Sequence, residues 1–229
     1  MSDNIAGVFA DAIAADPTRP LLTWYDDASG DRTELSGATL ANWVAKTANL
    51  LVDEGGLGEG DSAAVLLPPH WQTAAVLLGC WSVGLTVADA PTGVDVLFAA
   101  ADRVDEARSW PAGERYALAL APLAAPLRQV PPGFADYVVE VRGHGDHFTP
   151  YATGGPAQVE LLARATARAT ELGITPGARV LVDATRHPDP VDWLLATLTR
   201  GATVVLCANL DRTRLDARAT AEKVTRTLA

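Results

Sequence analysis

Lysine is nearly missing from this sequence. Lys46 and Lys223 are the only two, and every other permanently basic residue is arginine. With a net charge of −10, the chain lacks the positive surface needed to neutralise phosphate backbones, so no nucleic-acid partner is expected. Cysteine is as scarce. Cys80 and Cys207 stand alone in apolar runs, with no metal-ligand or redox spacing. They read as buried, reduced thiols, which fits the cytoplasm. No G-x-S-x-G pattern occurs, so a serine nucleophile elbow is not expected. The start, Met1-Ser2-Asp3-Asn4, has neither the basic nor the apolar stretch of a secretory leader.

Charge is also absent from Ser62 to Ala88, long enough on paper to span a bilayer. Pro68-Pro69 and Gly84 break that run. A second stretch of the same pattern carries Asp183, Arg186, Asp189, Asp192 and Arg200. The first stretch therefore reads as buried core, and no membrane association is expected. What the chain does have is apolar content, 48% of 229 residues. That is enough for a substantial core, in one α/β domain or two lobes.

The dominant sequence feature is an internal correspondence. A gapless shift of 117 positions lays Leu57 to Ala90 over Ile174 to Cys207. Gly60 falls on Gly177, His70 on His187, Leu77-Leu78 on Leu194-Leu195, Gly84 on Gly201 and Thr86-Val87 on Thr203-Val204. Each copy reads helix, Gly turn, strand, helix, Gly turn, strand. A repeat of this kind constrains the fold strongly. The expected fold class is α/β: two related βαβ-containing lobes with mostly parallel sheets covered by helices. The expected division is 1–120, a Pro/Gly-rich connection 121–155, and 156–229.

In chain order, Ile5 to Ala14 predicts a helix, and Leu21–Tyr25 with Arg32–Leu35 a hairpin. Ser36 caps a helix to about Glu54, with Leu40, Trp43, Val44, Thr47, Leu50 and Leu51 on one face. Strands follow over 63–67, 85–88, 94–100, 116–120 and 137–141, with helices over 72–83 and 102–110. The loop from Gly143 to Gly155 is expected to be exposed. The last helix is expected from about Leu215 to Leu228.

Three stretches carry a family resemblance. Glu34-Leu35-Ser36, the helix Leu40 to Leu51, and Leu57-Gly58-Glu59-Gly60-Asp61 resemble the opening of adenylate-forming enzymes: acyl-CoA synthetases, adenylation domains and luciferases. Gly173-Ile174-Thr175-Pro176-Gly177 through Gly201-Ala202-Thr203-Val204-Val205 resembles a later region of their large domain. The resemblance implies a fold with two related α/β subdomains, and looks closest to short actinobacterial members. It also implies a phosphate loop at Phe148 to Pro156. There Thr153, Gly154 and Gly155 are at most a remnant, and no lysine follows. Only residues 208–229 follow Cys207, too few for the family's adenine and ribose motifs or its small lysine-bearing domain. Stand-alone adenylation is not expected, and no cofactor is required. ATP or AMP with Mg²⁺ enters only if a partner chain supplies the missing parts.

The expected pocket is Asp183, Thr185 and His187, with His70 at the equivalent point of the first copy. In open parallel sheets, ligands bind outside the carboxyl ends of the strands. The resemblance places an aromatic-His element of the family's carboxylate pocket near His187. The alternative is that both histidines merely close strand-to-helix loops. His144-Gly145-Asp146-His147 has metal-ligand residue types but no fixed set of partners, so a solvated loop is favoured and no metal is expected. The C-terminal segment, with Arg212, Arg214, Arg218, Lys223 and Arg226, is either a surface for an acidic partner or a solvated helix face. Three functions remain open: a degenerate binding or interaction module, half of a split acid-activating ligase, and an acyl or carboxylate sensor. The partner stays open: another protein, a second copy of the chain, or none, with the two lobes burying their faces against each other in a monomer.

Overall fold

The computed structural model describes residues 3–150 and 154–229. Helix α1 (Ile5–Ala14) precedes a hairpin of β1 (Pro20–Asp26) and β2 (Asp31–Ser36), and α2 (Gly37–Asp53) follows. Then come β3 (Ser62–Leu66), α3 (Trp71–Val83), β4 (Thr86–Ala88), β5 (Val94–Ala100), α4 (Val104–Ala107), β6 (Ala112–Leu118), β7 (Ala135–Asp136) and α5 (Tyr137–Val141). The chain continues with α6 (Gly155–Glu171), β8 (Arg179–Asp183), a π-helical turn (Val191–Leu195), α7 (Ala196–Leu198), β9 (Thr203–Ala208), α8 (Leu215–Ala221) and β10 (Arg226–Leu228).

The strands form two five-stranded sheets, ordered β10-β8-β9-β1-β2 and β4-β3-β5-β6-β7. Only the β1–β2 pair is antiparallel. The two segments related by 117 positions keep one register. Ser62 pairs with Thr86 as Arg179 pairs with Thr203, each 24 residues on. The four turn glycines Gly60, Gly84, Gly177 and Gly201 all adopt positive φ, where a side chain would be strained.

Compactness divides the chain differently from the sequential expectation of 1–120, 121–155 and 156–229. One unit is Met1–Leu40, Pro69–Trp71 and Pro156–Ala229; the other is Ala41–Pro68 and Gln72–Gly155. The cause is strand pairing: β1 lies parallel beside β9, with Leu22 opposite Val204. The N-terminal hairpin thus completes the sheet of the later segment.

In the first unit, Leu181, Val205 and Cys207 face one side of the sheet, against Tyr25, Leu210, Leu215 and Val224. The alternating Val180, Val182, Val204 and Leu206 are also buried. Both faces are covered, which explains the continuous apolar runs. In the second unit, Phe98 stacks on Tyr116 at 5.4 Å and meets Tyr137 edge-on at 5.9 Å. The Tyr137 hydroxyl shares a 2.7 Å hydrogen bond with Thr47 Oγ1. Gly79 lets α3 approach closely, since a Cβ there would sit 2.6 Å from Thr47 Cγ2.

Several elements differ from the sequence reading. Residues 137–141 form a helix, not a strand. The β-branched run Val138, Val139, Val141 favours extended chain, but Asp136 caps a helix through Oδ1, accepting from Val138 N (2.8 Å) and Val139 N (3.3 Å). The last helix stops at Ala221. Lys223 adopts φ +54, and Arg226–Leu228 turns back to pair with Val180–Val182 of β8. The helix expected over 102–110 shrinks to a 3₁₀ turn plus α4. Strand β6 begins earlier than expected, at Ala112, which pairs with Val94 of β5; next to it Gly113 passes where a Cβ would lie 2.7 Å from Asp95 O. Among the described residues, no helix is long and apolar enough to cross a membrane.

Candidate functional site

Strands β10, β8, β9 and β1 run parallel, so their carboxyl ends share one edge. Asp183 ends β8, beside Cys207 of β9, and Asp26 ends β1, with Asp27 just beyond it. Buried Asp183 turns its Oδ1 to accept from Thr185 N at 3.0 Å. Its carbonyl accepts from Arg186 N (3.1 Å) and His187 N (3.0 Å). The expected trio Asp183, Thr185 and His187 is thereby gathered in one tight turn at the strand end.

His187 is the start of a hydrogen-bond chain. Its Nδ1 lies 2.7 Å from Asp192 Oδ2. Asp192 also accepts from Arg168 Nε (2.7 Å, to Oδ1) and Nη2 (3.1 Å, to Oδ2). Arg168 Nη1 reaches Glu171 at 3.0 Å. Burial opposes the charge on Asp192, yet the Arg168 and His187 hydrogen bonds hold its carboxyl below the usual range. A carboxylate only accepts, so His187 Nδ1 carries the proton in this contact. Asp192 sits in the π-helical turn, opened by Asp189 Oδ1 accepting from Val191 N at 2.8 Å. Such turns concentrate at functional sites. Sequence reasoning missed Asp192 and Arg168, because their pairing across 24 positions depends on how α6 lies along the turn.

A cleft of about 440 Å³ on the Arg168 side is lined by Arg164, Arg168, Glu171, Asp189 and Asp192, with Ala167 and Val191. Three carboxylates against two arginines give it no preference for an anion.

His70 has a different environment. It is buried, edge-on to Trp24 at 4.4 Å and tilted toward Trp71 at 5.6 Å. Burial pushes its pKa down to about 3, against the pull of Asp26. It is buried and neutral near pH 7, whereas the His187 side chain keeps 17% of its surface exposed.

Of the C-terminal arginines, Arg218 is the one that turns inward on the same carboxyl edge, while Arg212 and Arg214 stay largely exposed. Arg218 pairs with Asp27 through both terminal nitrogens, one at 2.9 Å, and lies 4.3 Å from the Tyr25 ring centroid. Arg214 and Arg212 approach Asp27 and Asp183, each at 3.6 Å. Cys207 Sγ lies 3.5 Å from Arg218 Nη1, but burial pushes this thiol up to about 11 and Cys80 to about 12. Neither thiol is a nucleophile near neutral pH.

The loop from Gly143 is partly tethered rather than freely solvated. The His144 ring lies 3.4 Å from Asp53 Oδ2 and 3.2 Å from Glu54 Oε1. Asn49 Nδ2 donates to the carbonyls of Gly145 (2.8 Å) and His147 (3.0 Å). Among the described residues, no group of three or more side chains is set to hold a metal. Of the phosphate-loop remnant, Thr153 lies outside the described residues. Gly154 and Gly155 both have positive φ, and a Cβ on Gly155 would lie 3.8 Å from Glu59 Oε1.

No protein-family model matches the chain. A Mycobacterium tuberculosis protein described as a TIGR03089 family protein is 43% identical, over 98% of each chain. The chain belongs to the TIGR03089 family. In fold, this TIGR03089 member is similar to solved structures of Brucella canis acyl-CoA synthetase (TM-score 0.75, 17% identity) and Streptomyces lividans acetoacetyl-CoA synthetase (0.71, 18%). It is also similar to the N-terminal domain of FACL13 from Mycobacterium tuberculosis (0.68, 14%). The alignments cover 98%, 96% and 96% of this chain, but only 46%, 41% and 61% of those chains. The TIGR03089 chain thus has the α/β fold of an acyl-CoA synthetase N-terminal domain and spans about half the length of the whole synthetases.

Proposed function

We propose that this chain is a binding module of the synthetase fold that holds a carboxylic acid at the carboxyl end of β8 without activating it. The observation that carries this reading is the His187–Asp192–Arg168 chain, at the strand edge where open α/β sheets bind ligands. The similar structures include an acyl-CoA synthetase and an acetoacetyl-CoA synthetase, which supports the ligand class. The stretch 148–156 contains no lysine, and Glu59 brings a carboxylate close to Gly155. Transfer at phosphorus needs cationic stabilisation of the developing charge; this segment carries no charged side chain, and the neighbouring Glu59 has the opposite sign. The shared register of the two segments supports descent from a duplicated unit. Two buried, unpaired thiols support a cytoplasmic setting.

The coverage of only 41–46% of whole synthetases favours a second reading, half of a split ligase. A partner chain would then bring ATP, Mg²⁺ and the missing motifs.

Thermal melting with fatty and amino acids, CoA, AMP and Mg-ATP separates the readings. Ligand at 100 times Kd adds about 2.7 kcal/mol, a rise of several degrees. The proposal expects a rise with an acid alone, unchanged by Mg-ATP. A rise with AMP or Mg-ATP would favour the split ligase, and no rise with any acid would overturn acid binding.

A further inference from the structure

We infer that His187 makes recognition of the acid proton-linked, with Asp192 and Arg168 as positioning residues; this rests on the acid-binding reading above. Nδ1 of His187 is committed to Asp192 at 2.7 Å. Among the described residues, no hydrogen bond involves its other nitrogen, Nε2, and the side chain keeps 17% of its surface exposed. A neutral imidazole has one donor and one acceptor. With Nδ1–H facing Asp192, Nε2 offers only a lone pair.

A lone pair cannot accept from an ionised carboxylate, which is itself only an acceptor. The two groups meet only with a proton between them, carried in as imidazolium or as the neutral acid. Above the imidazole titration, each carboxylate that binds therefore takes one proton from solvent. An amide analogue supplies its own N–H and needs none.

Several charged groups face His187. Asp192 meets it from the π-helical turn. Arg168 on α6 clamps both Asp192 oxygens, while Glu171 engages Arg168 from the far side. Arg186 and Asp189 flank His187 in its own loop, and Asp189 Oδ1 is turned to Val191 N. On β8, Asp183 is occupied by Thr185 N and approached by Arg212 at 3.6 Å. Asp192 is thus the carboxylate in direct contact with the ring.

Titration calorimetry with hexanoate and hexanamide, in buffers of different ionisation enthalpy, tests the inference. Hexanoate should take up a proton on binding at alkaline pH, and its affinity should fall there by up to about tenfold per pH unit. Hexanamide should bind with no uptake and no such fall. D192N keeps an acceptor for Nδ1–H but removes the charge. It should weaken hexanoate at neutral pH and leave hexanamide unchanged, which general loss of structure would not do. H187F should remove the pH dependence. Hexanoate binding without proton uptake, or with an affinity flat across pH, would overturn the inference while leaving acid binding in place. Failure of both ligands and of every acid in the melting panel would overturn acid binding itself, and the linkage with it.

Discussion

Arg218 of α8 and Asp27, 191 positions apart, form a two-point ion pair in which both side chains are nearly inaccessible to solvent. Arg218 holds the Asp27 carboxyl below its usual range, against the opposing effect of burial. R218A would leave a buried carboxylate without its main partner and empty the space over Tyr25. Loss of one partner of a buried pair costs about 3–5 kcal/mol. Urea unfolding should show that loss, and R218K should recover only part of it, because lysine cannot reproduce the two-point contact.

Acid should unfold the protein through the same kind of group. The carboxyls of Asp27, Asp192 and Glu222 all have lowered pKa values. Each contributes stability that is complete above the unfolded carboxylate range of about 3.9–4.3 and is lost as pH falls through the lower folded values. The melting temperature should decline from about pH 4 downward as these groups take up protons. A chain whose stability rose over that interval would contradict the assignment.

Packing of the second unit depends on Gly79. A Cβ there would lie 2.6 Å from Thr47 Cγ2 and 2.7 Å from its Cβ, and Thr47 also holds the Tyr137 hydroxyl. Overpacking costs about 1–3 kcal/mol, more than the gain in helix propensity from replacing glycine. G79A should therefore lower the melting temperature, and G79A/T47A should recover little of the loss, because alanine keeps the Cβ and removes the partner of the Tyr137 hydroxyl, as denaturation of the two variants would show.

The helix at 137–141 depends on its cap. Asp136 accepts from Val138, Val139 and, through Oδ2, Leu127 N at 2.6 Å. Loss of a cap costs about 0.5–2 kcal/mol. D136A should destabilise by at least that much and speed amide exchange at Val138 and Leu127, while D136N should keep the protection at Val138 and lose it at Leu127, because an amide nitrogen cannot accept.

Much of the first unit is legible in the sequence. The hairpin, the Ser36 cap and the β8 and β9 runs follow from turn residues and apolar patterning, and Ser36 Oγ does accept from Thr39 N. Long-range consequences are not legible there. Val138, Val139 and Val141 look like a strand until Asp136 is seen capping them, and Arg226–Leu228 is helical in pattern until the free edge of β8 takes it. The site follows the same rule. Asp183, Thr185 and His187 are close in sequence and fold as a turn, so local reasoning groups them. His70 shares the repeat position of His187, but Trp24 makes it core. Arg168 and Asp192 meet only through tertiary packing, and no local pattern announces them.

The most direct test of binding without activation is ATP–pyrophosphate exchange, using the purified chain, Mg-ATP and each acid that raises its melting temperature. The prediction is binding with no exchange above a protein-free control. Exchange dependent on one of those acids would contradict it and make the chain an acid-activating enzyme by itself.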